Sequence, residues 1–365
     1  MLGKNSKIAL VCNSFRIDGG TGLYTVLLTR ALLELGFRPE VVGKKFDQQL
    51  PEYAEIIPYQ ISTKLVPQKL VDYYYDLRLK QYCKQHVPDL LISCSRNSSS
   101  DIAVCGGTHL GYLHAMRHTP MFWDNRQVKL ETQYYSHSRL IVAHSEKLRK
   151  ELINLYGVPE SKIMVAYPPL FSLQKFSTIP EEERKQLRQT LGFPADRTVF
   201  LLVCAGNPFM KGLDLIADYF SKSNLPILLV VAGRPFNGSY RNVRYIGFRS
   251  DIEKIYQAVD YTVVSSRYEA FGQIGPESVA CGTPVIFARG AGSAEVIADE
   301  AKIEFDWSIE GSVHKAMQLA IERRRQGLNQ NISRNMISSK LSSPVNHARD
   351  ILKRWETIAL SDVSI

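Results

Sequence analysis

Residues 267–283 read RYEAFGQIGPESVACGT, and this stretch predicts a loop that leads into a helix. Two glutamates, Glu269 and Glu277, stand eight positions apart around the loop. Pro276 predicts the start of the helix, because its fixed φ angle suits the first turn, where a missing N–H costs nothing. A strand–loop–helix unit of this kind is typical of α/β folds.

The loop ahead of this helix consists of four residues, Phe271, Gly272, Gln273 and Ile274. Backbone N–H groups at a helix N-terminus, together with the helix dipole, favour an anion, most often a phosphate. Carboxylates on both sides, from Glu269 and Glu277, can accept hydrogen bonds from sugar or ribose hydroxyls. The stretch therefore predicts a site for a nucleotide sugar.

The residues around the loop extend this pattern. Cys-Gly-Thr-Pro-Val follows at 281–285 and Gly-Ala-Gly-Ser-Ala-Glu at 290–295, while residues 243–248 and 258–260 fit the preceding segment. The order of these matches resembles the donor-binding signature of the retaining glycosyltransferases of group 1, also called family 4. The resemblance implies a transferase that uses a nucleoside-diphosphate sugar, with a UDP-sugar expected, and that needs no metal or other cofactor.

Alternation of strands and helices predicts two parallel sheets. A strand over 7–12, a loop over 13–22 and a helix over 23–35 open the first half, and the order repeats from a strand at 198–205. Such sheets carry helices on both faces and bind ligands beyond the carboxyl ends of their strands. The resemblance implies the α/β GT-B fold, in which two Rossmann-like domains face each other across a cleft.

We expect an N-terminal acceptor domain over 1–168, a linker over 169–196 and a donor domain over 197–344. Pro168 and Pro169 break regular structure at the start of the linker, and residues 181–189 predict a charged connecting helix. In the family's fold the last helix, here within 345–365, crosses back onto the first domain. Trp355 is then expected to dock it.

Lys211 lies in the loop 206–212, at the strand–helix junction of the second half. It resembles the lysine of the family's diphosphate loop, where a cation stabilises the charge that grows on the leaving group. Asn207 stands where the family usually carries Arg, so Arg234 or Arg267 is expected to compensate. A solvated surface lysine is the alternative interpretation.

Two further positions in the first half resemble family site residues. Gly20, in Gly-Gly-Thr-Gly at 19–22, matches the glycine loop beneath the sugar diphosphate. His109 ends a strand-like run as Gly-Gly-Thr-His at 106–109, which resembles a segment of lipopolysaccharide-core sugar transferases, with Gly106 in place of the family's Asp. His109 could bind a ligand or relay a proton, or simply pack.

The residue patterns and the family resemblance together give a set of expected site residues. The catalytic residues are expected to be Glu269, Lys211 and His109. The donor-binding residues are expected to be Gly20, Asn207, Lys211, Phe271, Gly272, Gln273, Ile274 and Glu277.

The length and composition of the chain bear on its domain count and its cellular location. The 365 residues suit two domains, and the longest apolar runs, at 199–205 and 225–232, are far shorter than the roughly 20 residues of a membrane span. Lys4 and Lys7 precede only a short strand-like run, so no signal peptide is expected. The six cysteines have no paired or metal-ligand spacing, which indicates free thiols in a cytoplasmic protein.

The net charge of +9 leaves two interpretations open, since most of the excess lies in the first half. A basic surface can attract anionic lipids, or it can simply be well solvated. The basic and aromatic residues over 117–150 suggest an interfacial face as readily as an ordinary helical surface. Because family members often act on lipid-linked acceptors, peripheral binding to the inner face of the cytoplasmic membrane is expected.

The predicted function is transfer of a sugar to a glycan or glycolipid hydroxyl in lipopolysaccharide or other bacterial cell-envelope polysaccharide. A nucleotide-sugar 2-epimerase on the same fold would share the donor site but need no acceptor surface. A basic nucleic-acid-binding protein is the second alternative. Two features of the sequence argue against a nucleic-acid partner: few aromatic residues stand among the basic residues, and no recognised nucleic-acid-binding motif is present.

Overall fold

The computed structural model describes residues 2–17, 19–170, 175–236 and 238–363, with side chains up to residue 360. The chain divides into two compact units. The first comprises residues 1–171 and 340–365, and the second comprises residues 172–339. Four residues of the predicted linker, 171–174, lie outside the described residues.

In the described part of the first unit, seven parallel strands form one sheet in the order β3-β2-β1-β4-β5-β6-β7. The strands are β1 (Ile8–Phe15), β2 (Glu40–Phe46), β3 (Ile57–Gln60), β4 (Leu90–Ser93), β5 (Ile102–Cys105), β6 (Leu140–Ala143) and β7 (Ile163–Val165). The helices between them are α1 (Gly20–Glu34), α2 (Val71–His86), α3 (His109–Ala115), α4 (Phe122–His137) and α5 (Glu146–Tyr156). Helix α1 begins three residues earlier than predicted.

Strand β1 shows why its sequence is almost wholly apolar. Ile8 and Leu10 pack into the core on one face of the sheet, whereas Ala9 and Val11 pack into a second core on the other face. Successive side chains of a strand alternate between faces, so a central strand of a parallel sheet is buried on both. The predicted doubly covered sheet is confirmed.

In the described part of the second unit, six parallel strands form a sheet in the order β10-β9-β8-β11-β12-β13. The strands are β8 (Thr198–Cys204), β9 (Ile227–Gly233), β10 (Val243–Gly247), β11 (Tyr261–Val264), β12 (Val285–Ala288) and β13 (Lys302–Phe305). The helices are α6 (Glu181–Thr190), α7 (Leu213–Lys222), α8 (Ile252–Ala258), α9 (Ile274–Ala280) and α10 (Ser312–Arg325).

Helix α6 lies within the predicted linker and packs on the second unit. Arg188 donates to the carbonyl of Ala258 at 2.7 Å and pairs with the buried Asp260 at 3.2 Å. Arg184 pairs with the same carboxylate at 3.4 Å. The charged sequence of this helix therefore serves to attach it, because buried charges require partners.

The C-terminal helix α11 (Pro344–Val363) belongs to the first unit, as predicted. Ala348, Ile351 and Trp355 enter the core that contains β1 and α1. Trp355 is buried, and the guanidinium of Arg139 lies 4.9 Å from the centre of its ring. Among the described residues, no helix is both long and apolar enough to span a bilayer.

Two buried histidines lie against Tyr24 of α1, and one of them, His347, belongs to α11. The Tyr24 hydroxyl and His347 Nε2 are 2.8 Å apart, and the ring of His144 packs 4.5 Å from that of Tyr24. Burial lowers the pKa of His144 to about 3 and that of His347 to about 4, against an ordinary value of 6.5. Both side chains are therefore neutral in the folded protein at physiological pH.

We predict that stability falls with acidification. Between its folded pKa and about pH 6.5, each histidine binds a proton only when the chain unfolds. The contribution of the two neutral histidines to the free energy of unfolding is therefore complete above pH 6.5. As the pH falls towards the folded pKa values, this contribution decreases by about 1.4 kcal/mol per pH unit for each histidine. Urea unfolding at pH 7, 6 and 5 measures this slope. His347→Phe should lower the slope by about one proton and the exposed His137→Phe should not; equal slopes in all three proteins would contradict the prediction.

Candidate functional site

Lys211 and Glu269 meet beyond the carboxyl ends of β8 and β11. Lys211 Nζ lies 2.6 Å from Glu269 Oε2, and the hydroxyl of Ser266 donates to the same oxygen at 2.9 Å. The side chains of Lys211 and Glu269 are 15% and 13% exposed, so the pair is largely shielded from water but can still be reached. Glu269 was expected from the motif over 267–283 and Lys211 from the resemblance of its loop to the family's diphosphate loop, and the structure brings the two side chains together.

The Lys211 loop is held against the end of β11. Gly212 has a φ of +68°, and a Cβ there would lie 2.2 Å from the carbonyl oxygen of Ser265. The hydroxyl of Ser265 donates to the carbonyl of Lys211 at 2.8 Å. Only glycine allows this close approach of two backbone segments, which fixes the position of Lys211.

Gly272 gives the Glu269 carboxylate its room. It has a φ of +88°, and a Cβ there would lie 2.8 Å from Cγ of Glu269. The next turn packs against this loop, because a Cβ at Gly292 would lie 2.1 Å from the carbonyl oxygen of Ala270. Two of the glycines in the predicted signature are therefore required by packing around Glu269.

Helix α9 begins at Ile274, two residues before the predicted start. Pro276 is the third residue of the helix and still lies in the first turn, where no intrahelical N–H bond is made. The ring of Phe271 is buried, while Gly272 and Gln273 are partly accessible. The side chain of Phe271 therefore packs within the protein, and its contact with a donor stays a prediction.

Glu277 lies on α9, and its carboxylate accepts a hydrogen bond from the hydroxyl of Tyr256 at 3.1 Å. Burial raises the pKa of Glu277 to about 7, although the hydroxyl of Tyr256 and the charge of Lys175 act in the opposite direction. The group thus changes charge near neutral pH. A carboxylate with this pKa can accept hydrogen bonds from hydroxyls above pH 7 and donate one when protonated.

Asn207 closes the loop that carries Lys211. Its Oδ1 accepts the backbone N–H of Phe209 at 2.9 Å, so the side chain acts within its own turn. Arg267 lies nearby but makes two 2.7 Å hydrogen bonds to the carboxylate of Asp214 and stacks 3.9 Å from the ring centre of Phe209. The charge of Arg267 is thus paired with Asp214 in this structure, and its compensation for the missing arginine stays a prediction.

His109 begins helix α3 in the first unit, at the carboxyl-end side of β5. Its Nε2 lies 2.9 Å from Oδ1 of Asp124, which fixes the orientation of the imidazole. The charge and hydrogen bond of His109 contribute to a lowered pKa of Asp124, whose largest cause is the hydrogen bond from the backbone of Met121. Sequence reasoning missed Asp124, a carboxylate that meets His109 although the family's Asp position holds Gly106.

Glu131 is a fully buried carboxylate behind His109. Its oxygens accept from the backbone N–H of His109 at 2.7 Å and from Nε of Arg96 at 2.9 Å. They also accept from the hydroxyls of Tyr135 and Tyr156. Glu131 therefore anchors the start of α3, and with it the position of His109, through four donors.

Gly20 lies at the first position of α1. A Cβ there would meet no atom within 4 Å, so packing does not require glycine at this position. Its predicted contact with a donor stays a prediction. Among the described residues, no group of three or more His, Cys, Asp or Glu side chains could hold a metal ion.

Comparison with solved structures identifies the fold. The GT-B fold is shared with WaaG, a glycosyltransferase involved in lipopolysaccharide biosynthesis, at a TM-score of 0.80 and 16% identity over 94% of this chain and 99% of that one. HepE of Anabaena, in complex with UDP and glucose, aligns with a TM-score of 0.66 and 16% identity over 99% of this chain and 100% of that one. At this level of identity, the likeness establishes the fold.

Sequence comparison then gives the family. The model of Glycosyltransferase Family 4 matches residues 18–170, and that of Glycosyl transferases group 1 matches residues 183–336. A probable transglycosylase of Burkholderia thailandensis is 39% identical over 320 residues, which cover 88% of each chain. The chain belongs to the group 1 glycosyltransferases of family 4, as the motif over 265–295 predicted.

Proposed function

We propose that this protein transfers a sugar from a nucleoside-diphosphate sugar to a hydroxyl of a glycan or glycolipid. The observation that carries the proposal is the shielded Lys211–Glu269 pair at the carboxyl ends of the second sheet. A cation there suits a phosphate, and a carboxylate suits the hydroxyls of a sugar. HepE, solved with UDP and glucose and with UDP-glucose, supports a UDP-sugar as the donor.

The proposed reaction breaks the bond between the anomeric carbon and the diphosphate. Negative charge grows on the leaving diphosphate, where Lys211 stabilises it. The acceptor oxygen forms the new bond on the same face of the sugar and passes its proton to the departing phosphate oxygen, so the anomeric configuration is retained. Glu269 accepts hydrogen bonds from the sugar hydroxyls, and Glu277 accepts them from the ribose.

On the acceptor side we assign His109 and Asp124. If Asp124 accepts the proton of Nε2, the imidazole presents Nδ1 as an acceptor for a substrate hydroxyl. His109 then orients the acceptor or the transferred sugar, and Asp124 is a positioning residue that acts through it. WaaG, described as involved in lipopolysaccharide biosynthesis, supports a cell-envelope glycolipid as the acceptor.

A donor panel tests this function. The purified chain is incubated with UDP-, GDP- and ADP-sugars, with and without bacterial glycolipid, and released nucleotide and glycosylated product are both measured. Acceptor-dependent release from one donor supports the proposal, and the product's anomeric configuration tests retention. Epimerised donor without acceptor would identify a 2-epimerase instead. Transfer between glycans without any nucleotide would identify a transglycosylase, the activity named for the Burkholderia relative.

We also propose a membrane-binding surface on the first unit. The side chains of Met121 and Phe122 are exposed, at 63% and 64%. The guanidinium of Arg126 lies 4.4 Å from the ring centre of Tyr73, and Lys69 lies 5.2 Å from that of Trp123. Aromatic and basic side chains grouped in this way suit the interface of an anionic bilayer.

We predict that Arg126→Glu weakens binding to phosphatidylglycerol vesicles by about 30-fold, since each unit of charge near such a surface contributes roughly 1 kcal/mol and the substitution changes the charge by two units. Sedimentation with phosphatidylglycerol and with phosphatidylcholine vesicles measures the effect. Arg325→Glu, an equal change of charge at an exposed position of the second unit, is the matched control. Equal losses in both variants would assign the binding to net charge rather than to this surface.

A further inference from the structure

The Lys211–Glu269 pair carries no net charge. Its cation lies 2.6 Å from a carboxylate, so the two together attract an anion weakly. A diphosphate leaving group carries at least two negative charges, and an additional cation at the site would stabilise them further. Asn207 does not supply it. Under the proposed function, on which this inference rests, a further positive group is expected at the same edge of the sheet.

Four arginines follow the carboxyl ends of strands in the second unit, and three of them are neutralised. Arg249 makes two 2.8 Å hydrogen bonds to Asp251, Arg267 is bound by Asp214, and Arg289 pairs with Asp306 at 3.4 Å. Arg234, which follows β9, is exposed, and its side chain makes no hydrogen bond or ion pair with any described residue. Its charge alone is uncompensated within this set.

The backbone places Arg234 beside the Lys211 loop. Strands β8 and β9 are adjacent, and Cys204 and Gly233 are register partners at their ends. The N–H of Arg234 donates to the carbonyl of Cys204 at 2.8 Å. A Cβ at Gly233 would lie 2.3 Å from that carbonyl oxygen and 3.3 Å from the nitrogen of Ala205. The backbone at the end of β9 is therefore in close contact with the backbone that leads from β8 into the Lys211 loop.

Electrostatics agrees with this placement. Burial raises the pKa of Cys204, and the charges of Lys211 and Arg234 both act to lower it. Both cations therefore lie close enough to act on one sulfur atom at the end of β8.

We propose that Arg234 is the second cation of the diphosphate site and binds a phosphate together with Lys211. A guanidinium can hold two phosphate oxygens at once, which suits an exposed side chain that becomes ordered on a ligand. Because the side chain of Arg234 is exposed and pairs with no described residue, its charge is not needed to compensate a buried partner in the fold. Arg234 thus takes the role that Asn207, occupied within its own turn, cannot perform.

The proposal is tested by calorimetric titration of the protein with UDP, GDP and ADP, and with the corresponding free nucleosides. For the diphosphate that the unaltered protein binds, Arg234→Gln should weaken affinity by about 10- to 100-fold, the range for a charge-assisted hydrogen bond. Affinity for the nucleoside should not change. Arg234→Lys should lose less, because it keeps the charge without the two-pronged contact.

Arg325→Gln is the matched control, since it removes an equal charge from an exposed position on α10, whose adjacent Arg324 pairs with Asp260 at the amino end of β11. Diphosphate binding unchanged in Arg234→Gln but lost in Lys211→Met would overturn the role of Arg234 and leave the proposed function intact. Equal losses in Arg234→Gln and Arg325→Gln would also overturn it. If the unaltered protein binds none of the diphosphates, the proposed function itself fails.

Discussion

Glu269→Gln is expected to lower kcat by about 100- to 1000-fold while leaving nucleoside-diphosphate affinity unchanged or higher. The amide lacks the charge that strengthens hydrogen bonds to the sugar hydroxyls as the glycosidic bond breaks. Removal of a single group that stabilises the transition state typically lowers kcat by about this factor. The same change releases Lys211 from its 2.6 Å ion pair, so its charge becomes fully available to a phosphate.

Two measurements separate these effects. Initial rates with saturating donor give kcat, and calorimetry with the nucleoside diphosphate gives Kd. Glu300→Gln, at an exposed position, removes a carboxylate remote from Lys211 in sequence and serves as the control. Ser266→Ala, which removes only the 2.9 Å hydrogen bond to Glu269, should have a smaller effect in the same direction. An unchanged kcat in Glu269→Gln would rule out the assigned role of this carboxylate.

Glu131→Ala is expected to destabilise the first unit by about 3–5 kcal/mol, the range for removing one partner of a buried ion pair. The change leaves Arg96, the backbone N–H of His109 and two tyrosine hydroxyls without their acceptor. Unpaired buried donors carry the full penalty of desolvation. Urea unfolding measures the loss in free energy.

Two comparison variants sharpen this result. Thr132→Ala lies next to Glu131 on the exposed side of α4 and should cost less than about 1 kcal/mol. Glu131→Gln keeps one acceptor oxygen and should fall between the two. Hydrogen exchange at the backbone N–H of His109 should speed up in Glu131→Ala. A stability equal to that of Thr132→Ala would show that the buried network does not hold α3.

The candidate residues of the donor half could be identified from the sequence because they are close together in it or stand at fixed places in a repeated unit. Glu269, Gly272 and Glu277 lie within nine residues of one another. Lys211 sits at a strand–helix junction, a position that the alternation of elements defines. Packing then explains the pattern, since Gly272 makes room for Glu269.

The remaining features depend on contacts that sequence spacing does not encode. Asp124 reaches His109 only because helices α3 and α4 pack together across 15 residues of chain. The pairing of Arg267 with Asp214 spans 53 residues and decides which arginine keeps its charge. A strand pattern gives the edge at which side chains meet, but ion pairing among several candidates depends on three-dimensional distances.

A crystal structure of the chain with the nucleoside diphosphate from the best donor tests the central claim most directly. We predict that the diphosphate lies between Lys211 Nζ and the segment 271–274, with the ribose hydroxyls at Glu277. The guanidinium of Arg234 should turn onto a phosphate oxygen. A diphosphate bound elsewhere on the molecule, with Lys211 and Glu269 still paired as they are here, would contradict the proposed function.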